Sequence, residues 1–287
     1  MNRILQELVD HLTLERLEKL LFRGESRDIG SPRVFGGQVL GQALSAAQHT
    51  VRERPVHSLH AYFLRPGDIN HPIIYEVDRA RDGTSFSMRR VVAIQHGHQI
   101  FNLSASFHKN EKGLEHQFDA PEVAPPEALR DSRELLHLMG DRVPAGYKRF
   151  YERSRPFEFR FVQEERFTSP GYSASSAQIW FKTLGRLPDD DNLHRTLLAY
   201  VSDYHLIRTA TLPHGVNLGD NRLQMASLDH AMWFHRFTRV DDWLLYSMDS
   251  PSTGGARGLA RGTIYDRGGQ LIASTAQEGL VRLKAQR

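Results

Sequence analysis

The side chains best suited to proton chemistry at neutral pH are histidines. Four of them, His57, His60, His230 and His235, lie in or beside aromatic-rich runs that read as strands. Neighbouring side chains on a strand point to opposite faces, which scatters such histidines as metal ligands and favours structural roles. The sequence has no His-Glu-x-x-His helix and no cysteine. That excludes zincin-type and Cys-ligated metal sites, thiolate catalysis and a disulfide framework, so no metal ligand is assigned. Arg65, Arg90, Arg257 and Arg261 have the fork geometry for charge-assisted bonds to phosphate. Gly36 and Gly37, ahead of Gln38, permit close backbone approach to a sheet or a ligand. A Gly-x-Ser-x-Gly elbow, a P-loop and a dinucleotide-binding glycine fingerprint are all missing, which argues against a serine esterase, an NTPase and a dehydrogenase.

The elements that must position these residues occur twice. Sliding the chain along itself by 171 residues, the distance from Gly97 to Gly268, lays residues 62–107 on 233–278 without a gap. Phe63, Arg65, Tyr75, Asp78, Gly83, Arg90, Gly97, Gln99 and Ala105 then meet Phe234, Arg236, Tyr246, Asp249, Gly254, Arg261, Gly268, Gln270 and Ala276. In each copy an aromatic run (59–64; 232–235) precedes an extended run (73–77; 243–248) and a Gly-containing turn. A long strand, a tight Gly hairpin (His96-Gly97-His98; Asp266-Arg267-Gly268-Gly269) and a last strand (100–107; 271–281) complete an antiparallel meander. A helical stretch precedes each meander. Val39, Leu40, Ala43, Leu44, Ala46 and Ala47 are spaced for one helix, and Leu193, Leu197, Leu198, Tyr200 and Val201 for the other. Asp189, Asp190 and Asp191 suit the positive start of the second helix.

A length of 287 residues fits two such units. We expect an N-terminal unit over 1–110, a connector over 111–155 and a C-terminal unit over 156–287. Proline at 121, 125 and 126 argues for an extended connector, not a packed element. A short helix is expected over 130–138, and residues 2–12 read as an amphipathic segment packed on the first unit. Net charge is +3, with 37 basic against 34 acidic residues spread along the chain. Nucleic-acid surfaces concentrate their charge, so none is expected; a mild basic excess suits a phosphorylated small molecule. Charges interrupt the first residues before a signal-type core forms, and no apolar stretch is long enough to span a bilayer. Cytoplasm is the expected compartment.

Longer motifs narrow the reading. Arg33-Val34-Phe35-Gly36-Gly37-Gln38, His57-Ser58-Leu59-His60-Ala61-Tyr62-Phe63-Leu64-Arg65-Pro66-Gly67-Asp68 and Arg81-Asp82-Gly83-Thr84-Ser85-Phe86 resemble the acyl-CoA thioesterase II family. So do Ser227-Leu228-Asp229-His230-Ala231-Met232-Trp233-Phe234-His235-Arg236 and Ala273-Ser274-Thr275-Ala276-Gln277-Glu278-Gly279. The similarity runs from about residue 14 to 282 with the motifs in order. It implies an α+β double hot-dog fold, two helix-plus-antiparallel-sheet units sharing one continuous sheet. It also implies cofactor-free hydrolysis of acyl-CoA and a homodimer or homotetramer. Carried over by position, the water-orienting trio is Asp203, Ser227 and Gln277, with serine where family members often have threonine. Gly36, Gly37, Gln38, Arg257 and Gly258 are the expected substrate contacts.

The chemistry is coherent. A thioester is an activated acyl group, so the site must place a water, accept its proton and stabilise an oxyanion. A carboxylate, a hydroxyl and an amide suffice for that without a covalent intermediate. An ordinary aspartate is a feeble base at neutral pH, so either burial raises the basicity of Asp203 or it mainly orients the water. At the 171-residue offset Gln277 falls on Ser106 and Ser227 on Val56, so one working site per chain is expected, on the later unit. An enoyl-CoA hydratase, with an Asp/His pair, and a non-catalytic acyl-CoA-binding protein are the alternatives.

Overall fold

The computed structural model describes residues 2–140, 155–169, 171–216, 220 and 222–284. Helix α1 (Arg3–Leu12) starts where the Asn2 side chain accepts from the Leu5 N–H, and it buries Leu5, Leu8 and Leu12 along one face. Strands β1 (Glu15–Glu18) and β2 (Leu21–Gly24) lead to α2 (Gly36–Gln48), whose residues from Gly37 onward are all buried. The first meander is β3 (Val56–Phe63), β4 (Ile73–Asp82), β5 (Phe86–Gln95) and β6 (His98–His108). After it come α3 (Ser132–Met139), β7 (Phe157–Phe161), the one-turn α4 (Glu165–Thr168) and β8 (Ser176–Thr183). Helix α5 (Asp191–Ser202) is capped by the Asp190 carboxylate, which accepts from the Asn192 and Leu193 N–H groups. A 3-10 segment (Ile207–His214) follows, then β9 (Leu223–Ser227), β10 (Asp229–Phe234), β11 (Leu244–Gly254), β12 (Arg257–Asp266) and β13 (Leu271–Leu283).

All strands join one 13-stranded sheet, in the order β1-β2-β4-β5-β6-β3-β10-β13-β12-β11-β8-β7, with β9 also on β13. Every pairing is antiparallel, and the two meanders meet at a β3–β10 seam running from Asp229 opposite Tyr62 to Trp233 opposite Ser58. Helices α2 and α5 pack together because glycine lets them approach. A Cβ on Gly37 would fall 2.3 Å from the Tyr200 carbonyl oxygen, and one on Gly41 3.5 Å from Tyr200 Cβ. Helix α2 also rests on β3, β4, β5 and β6. This is the double hot-dog arrangement, with the two central helices in a single apolar core.

The repeat is visible in the register. Asp78 faces Arg90 across β4–β5, and Asp249 faces Arg261 across β11–β12. One correction follows on the final strands. Arg89 faces Ala105, whereas Ala260, its counterpart, faces Gln277. The structural counterpart of Gln277 is therefore Ala105, not Ser106. The hairpin joining β12 to β13 has more residues than the His96-Gly97 turn, and an ungapped slide cannot absorb that. The conclusion that the first copy lacks the amide is unchanged.

The connector also departs from expectation. Up to Pro125 it is extended, as its prolines require, yet it is packed. Ala120, Val123 and Leu129 cover Trp180, Trp243, Leu245 and Tyr265 on the sheet face away from the helices. Trp180 Nε1 donates to the Ala124 carbonyl at 3.0 Å, and the Gln117 amide bonds Gly269 and Leu271. Proline removes donors but leaves carbonyls and short apolar side chains able to cover exposed indoles. Residues 141–154 of the expected connector lie outside the described residues.

Candidate active site

Three elements converge at the end of α5. Asp203 is the C-cap residue of that helix, 8% exposed, and its carboxylate meets the start of α2, where the Gly37 N–H donates to it. Gln277 on β13 is fully buried. Its Nε2 donates to Asp203 Oδ1 at 2.7 Å and to Ser227 Oγ at 3.1 Å, which uses both amide hydrogens. Ser227, half-buried at the end of β9, accepts there and keeps its own hydroxyl hydrogen to donate. Where β13 leaves β10 for β9 the ladder bulges. Pairing stops at Ala231–Ala276 and resumes at Ser227–Gly279, so three residues face two. Bulges re-aim side chains, and this one holds Ser227, His230 and Gln277 together.

Burial raises the Asp203 carboxyl above its ordinary range, while the bonds from Gln277 and from the Gly37 N–H act in the opposite sense. The helix N-terminus beside it favours the anion. His230 stands behind the carboxylate, fully buried, and burial pushes its imidazole down to about 3. Ser202 Oγ donates to the Ala199 carbonyl, so at its 2.9 Å contact with His230 Nε2 it accepts. The imidazole is therefore neutral with its proton on Nε2. Its Nδ1 lies 3.9 Å from Asp203 Oδ1 and has no hydrogen-bond partner among the described residues. The other strand histidines face elsewhere. His57 bonds Ser106, His235 bonds Ser274, and His60 meets the Trp233 ring edge-on.

Comparisons with known proteins bear on the family and the fold. The model of the family described as acyl-CoA thioesterase matches residues 150–280, and that of the acyl-CoA thioesterase N-terminal domain matches residues 23–108. Acyl-CoA thioesterase 2 of Haemophilus influenzae is 43% identical, covering 98% of this chain and 99% of that protein. The chain belongs to the acyl-CoA thioesterase II family. A crystal structure of the acyl-CoA thioesterase II TesB2 from Mycobacterium marinum superposes with a TM-score of 0.80 at 41% identity, over 96% of this chain and 99% of that one. A hot-dog-fold protein of unknown function from Alicyclobacillus acidocaldarius shares the fold at 16% identity, with a TM-score of 0.75 over 97% of this chain and 99% of that one.

The remaining expected contacts of this thioesterase are dispersed. Gly36 lies against Asp203 and Phe63. Gln38 is buried and turned away, its amide donating to the Glu25 carbonyl and accepting from the Arg27 N–H. Gly258 shares a row with Gly279 and Ser227 across β12, β13 and β9, and it lies against Ala210. Arg257, next along the strand, is exposed and bonded to Glu278; Arg261 is paired with Asp249, and Arg65 donates to the Gln99 carbonyl. Sequence reasoning missed Ser202, which fixes the His230 tautomer. A serine beside a helical aspartate carries no signal of that role. Among the described residues, no helix is long and apolar enough to cross a membrane.

Proposed function

We propose that this thioesterase cleaves acyl-CoA by direct attack of a water held by Asp203, Ser227 and Gln277, with no acyl-enzyme. The observation that carries the reading is the Gln277 amide, which donates to the carboxylate and the hydroxyl at once. Asp203, made more basic by burial, accepts a water proton, and the Ser227 hydroxyl orients the water oxygen. The Gly36 N–H opens α2 and has no acceptor within the helix, so it is the donor for the developing oxyanion. Preorganised donors of this kind lower barriers by roughly 2.7–4 kcal/mol each. The thiolate leaves with its electron pair and takes up the proton returned by Asp203.

In the same reading the chain works in the cytoplasm as a homodimer or homotetramer, through units spanning 1–110 and 156–287. The test is free-thiol release across acyl-CoA substrates of increasing length. Asp203→Asn and Gln277→Ala should each lower kcat about a hundredfold or more. Near-normal turnover in both variants would remove the trio from the reaction. Loss of enoyl-CoA absorbance without thiol release would favour hydration instead.

A further inference from the structure

Strand alternation led us to expect no convergent metal ligands, but loops escape that rule. Asp68 and His71 lie on the loop between β3 and β4, and His96 lies in the hairpin turn between β5 and β6. The geometry points to a binding site for a divalent transition-metal cation, of the zinc class, held by Asp68 Oδ2, His71 Nδ1 and His96 Nε2.

These three atoms lie within 4.8 Å of one another, with Oδ2 at 2.8 Å from His71 Nδ1 and 3.2 Å from His96 Nε2. Zinc–oxygen and zinc–nitrogen bonds of about 2.0–2.2 Å at a tetrahedral angle put neighbouring ligand atoms about 3.3 Å apart. The two spacings from the carboxylate are therefore near the edges of such a polyhedron, and small turns of the imidazoles would complete it. Imidazole and carboxylate together suit zinc, cobalt, nickel and copper better than magnesium or calcium.

The ligands are held by their surroundings as well as by one another. Asp68 Oδ1 is occupied by the Asn70 N–H and side-chain amide at 2.9 and 3.1 Å, which leaves Oδ2 for the cation. Gln95, 5% exposed, accepts from the Asp68 N–H and donates to the Asp68 and His71 carbonyls. It thereby ties the loop to the end of β5, one residue before His96. His96 takes a left-handed backbone, φ 51°, ahead of Gly97 at 74°, so the turn itself aims the imidazole. Supporting bonds of this kind preorganise metal ligands.

The loop has a further attachment. The Val34 N–H donates to the Gly67 carbonyl at 3.0 Å, two residues before the Gly36 that opens α2. A bound cation would clamp the β3–β4 loop to the β5–β6 hairpin and stiffen the seat of that helix start. The site does not depend on the proposed catalytic trio.

Tag-free, chelator-treated protein titrated with Zn2+ by calorimetry should take up one tight equivalent. Co2+ in its place should give the visible absorption of a low-coordinate nitrogen–oxygen site. Asp68→Asn and His96→Ala should each weaken Zn2+ binding at least about tenfold and abolish the Zn2+-dependent rise in Tm seen for the parent. His96 is exposed and Asp68 half-buried, so both variants should fold, and unchanged metal-free Tm checks that. No saturable binding at sub-millimolar Zn2+ would overturn the site and leave two hydrogen-bonded His–Asp contacts. Equally tight binding in both variants would overturn it too, placing the ion on other histidines.

Discussion

A Cβ built on Gly36 would stand 2.7 Å from Oδ2 of Asp203 and 3.0 Å from the Phe63 ring. The start of one helix and the end of the other thus approach more closely than any side chain allows. Gly36→Ala should push the carboxylate off its bond with Gln277 while the rest of the fold accommodates a single methyl. We expect kcat for thiol release to fall at least about tenfold with KM little changed, because small misplacements of positioned groups are costly. A variant with parental kcat would mean that the carboxylate position is not critical.

Ser227 offers a cleaner test, because threonine would keep its hydroxyl and add only a methyl group. The extra methyl restricts the rotamer, and the hydroxyl would stay within reach of Gln277. Ser227→Thr should keep or raise kcat, whereas Ser227→Ala should lower it by about tenfold or more. Equal rates in the two variants would show that the hydroxyl takes no part.

Asp203 links activity to stability through pH. Its folded carboxyl titrates above the ordinary 3.8 because burial disfavours the charge. The folded protein therefore holds this proton more tightly than the unfolded chain. The stabilisation is complete below the unfolded value and is lost as pH rises through the folded one. Asn at this position cannot ionise. Between pH 3.8 and the raised folded value, the Tm of Asp203→Asn should therefore gain on that of the parent as pH increases. The acid limb of the parental kcat/KM profile should lie above the ordinary aspartate range. A constant Tm difference across that window would show that burial does not shift this carboxyl.

The strands were legible because their periodicities and hairpin glycines are local. The repeat went further, since Asp78 with Arg90 and Asp249 with Arg261 proved to be true cross-strand partners. What stayed hidden was non-local or one residue wide. The longer second hairpin moved the counterpart of Gln277 to Ala105. The prolines near 121–126 said extended, but only the tryptophans beneath them explain why that segment is packed. Gln38 sits next to two glycines that touch the site, yet helical rotation turns its amide toward Glu25 and Arg27. Nothing near Asp203 in sequence announces that the first half of the chain supplies the Gly37 N–H it accepts.

Where the later half sets Ala260 opposite Gln277, the earlier half sets Arg89 opposite Ala105. The Arg89 guanidinium is 1% exposed and grips Thr50, the Arg81 and Met88 carbonyls and Asp82. A buried, five-bonded cation thus stands in the earlier half where the later half has only a methyl group. It bolts the end of α2 to the β4–β5 hairpin, so damage there should show as lost protein before it shows as slow chemistry.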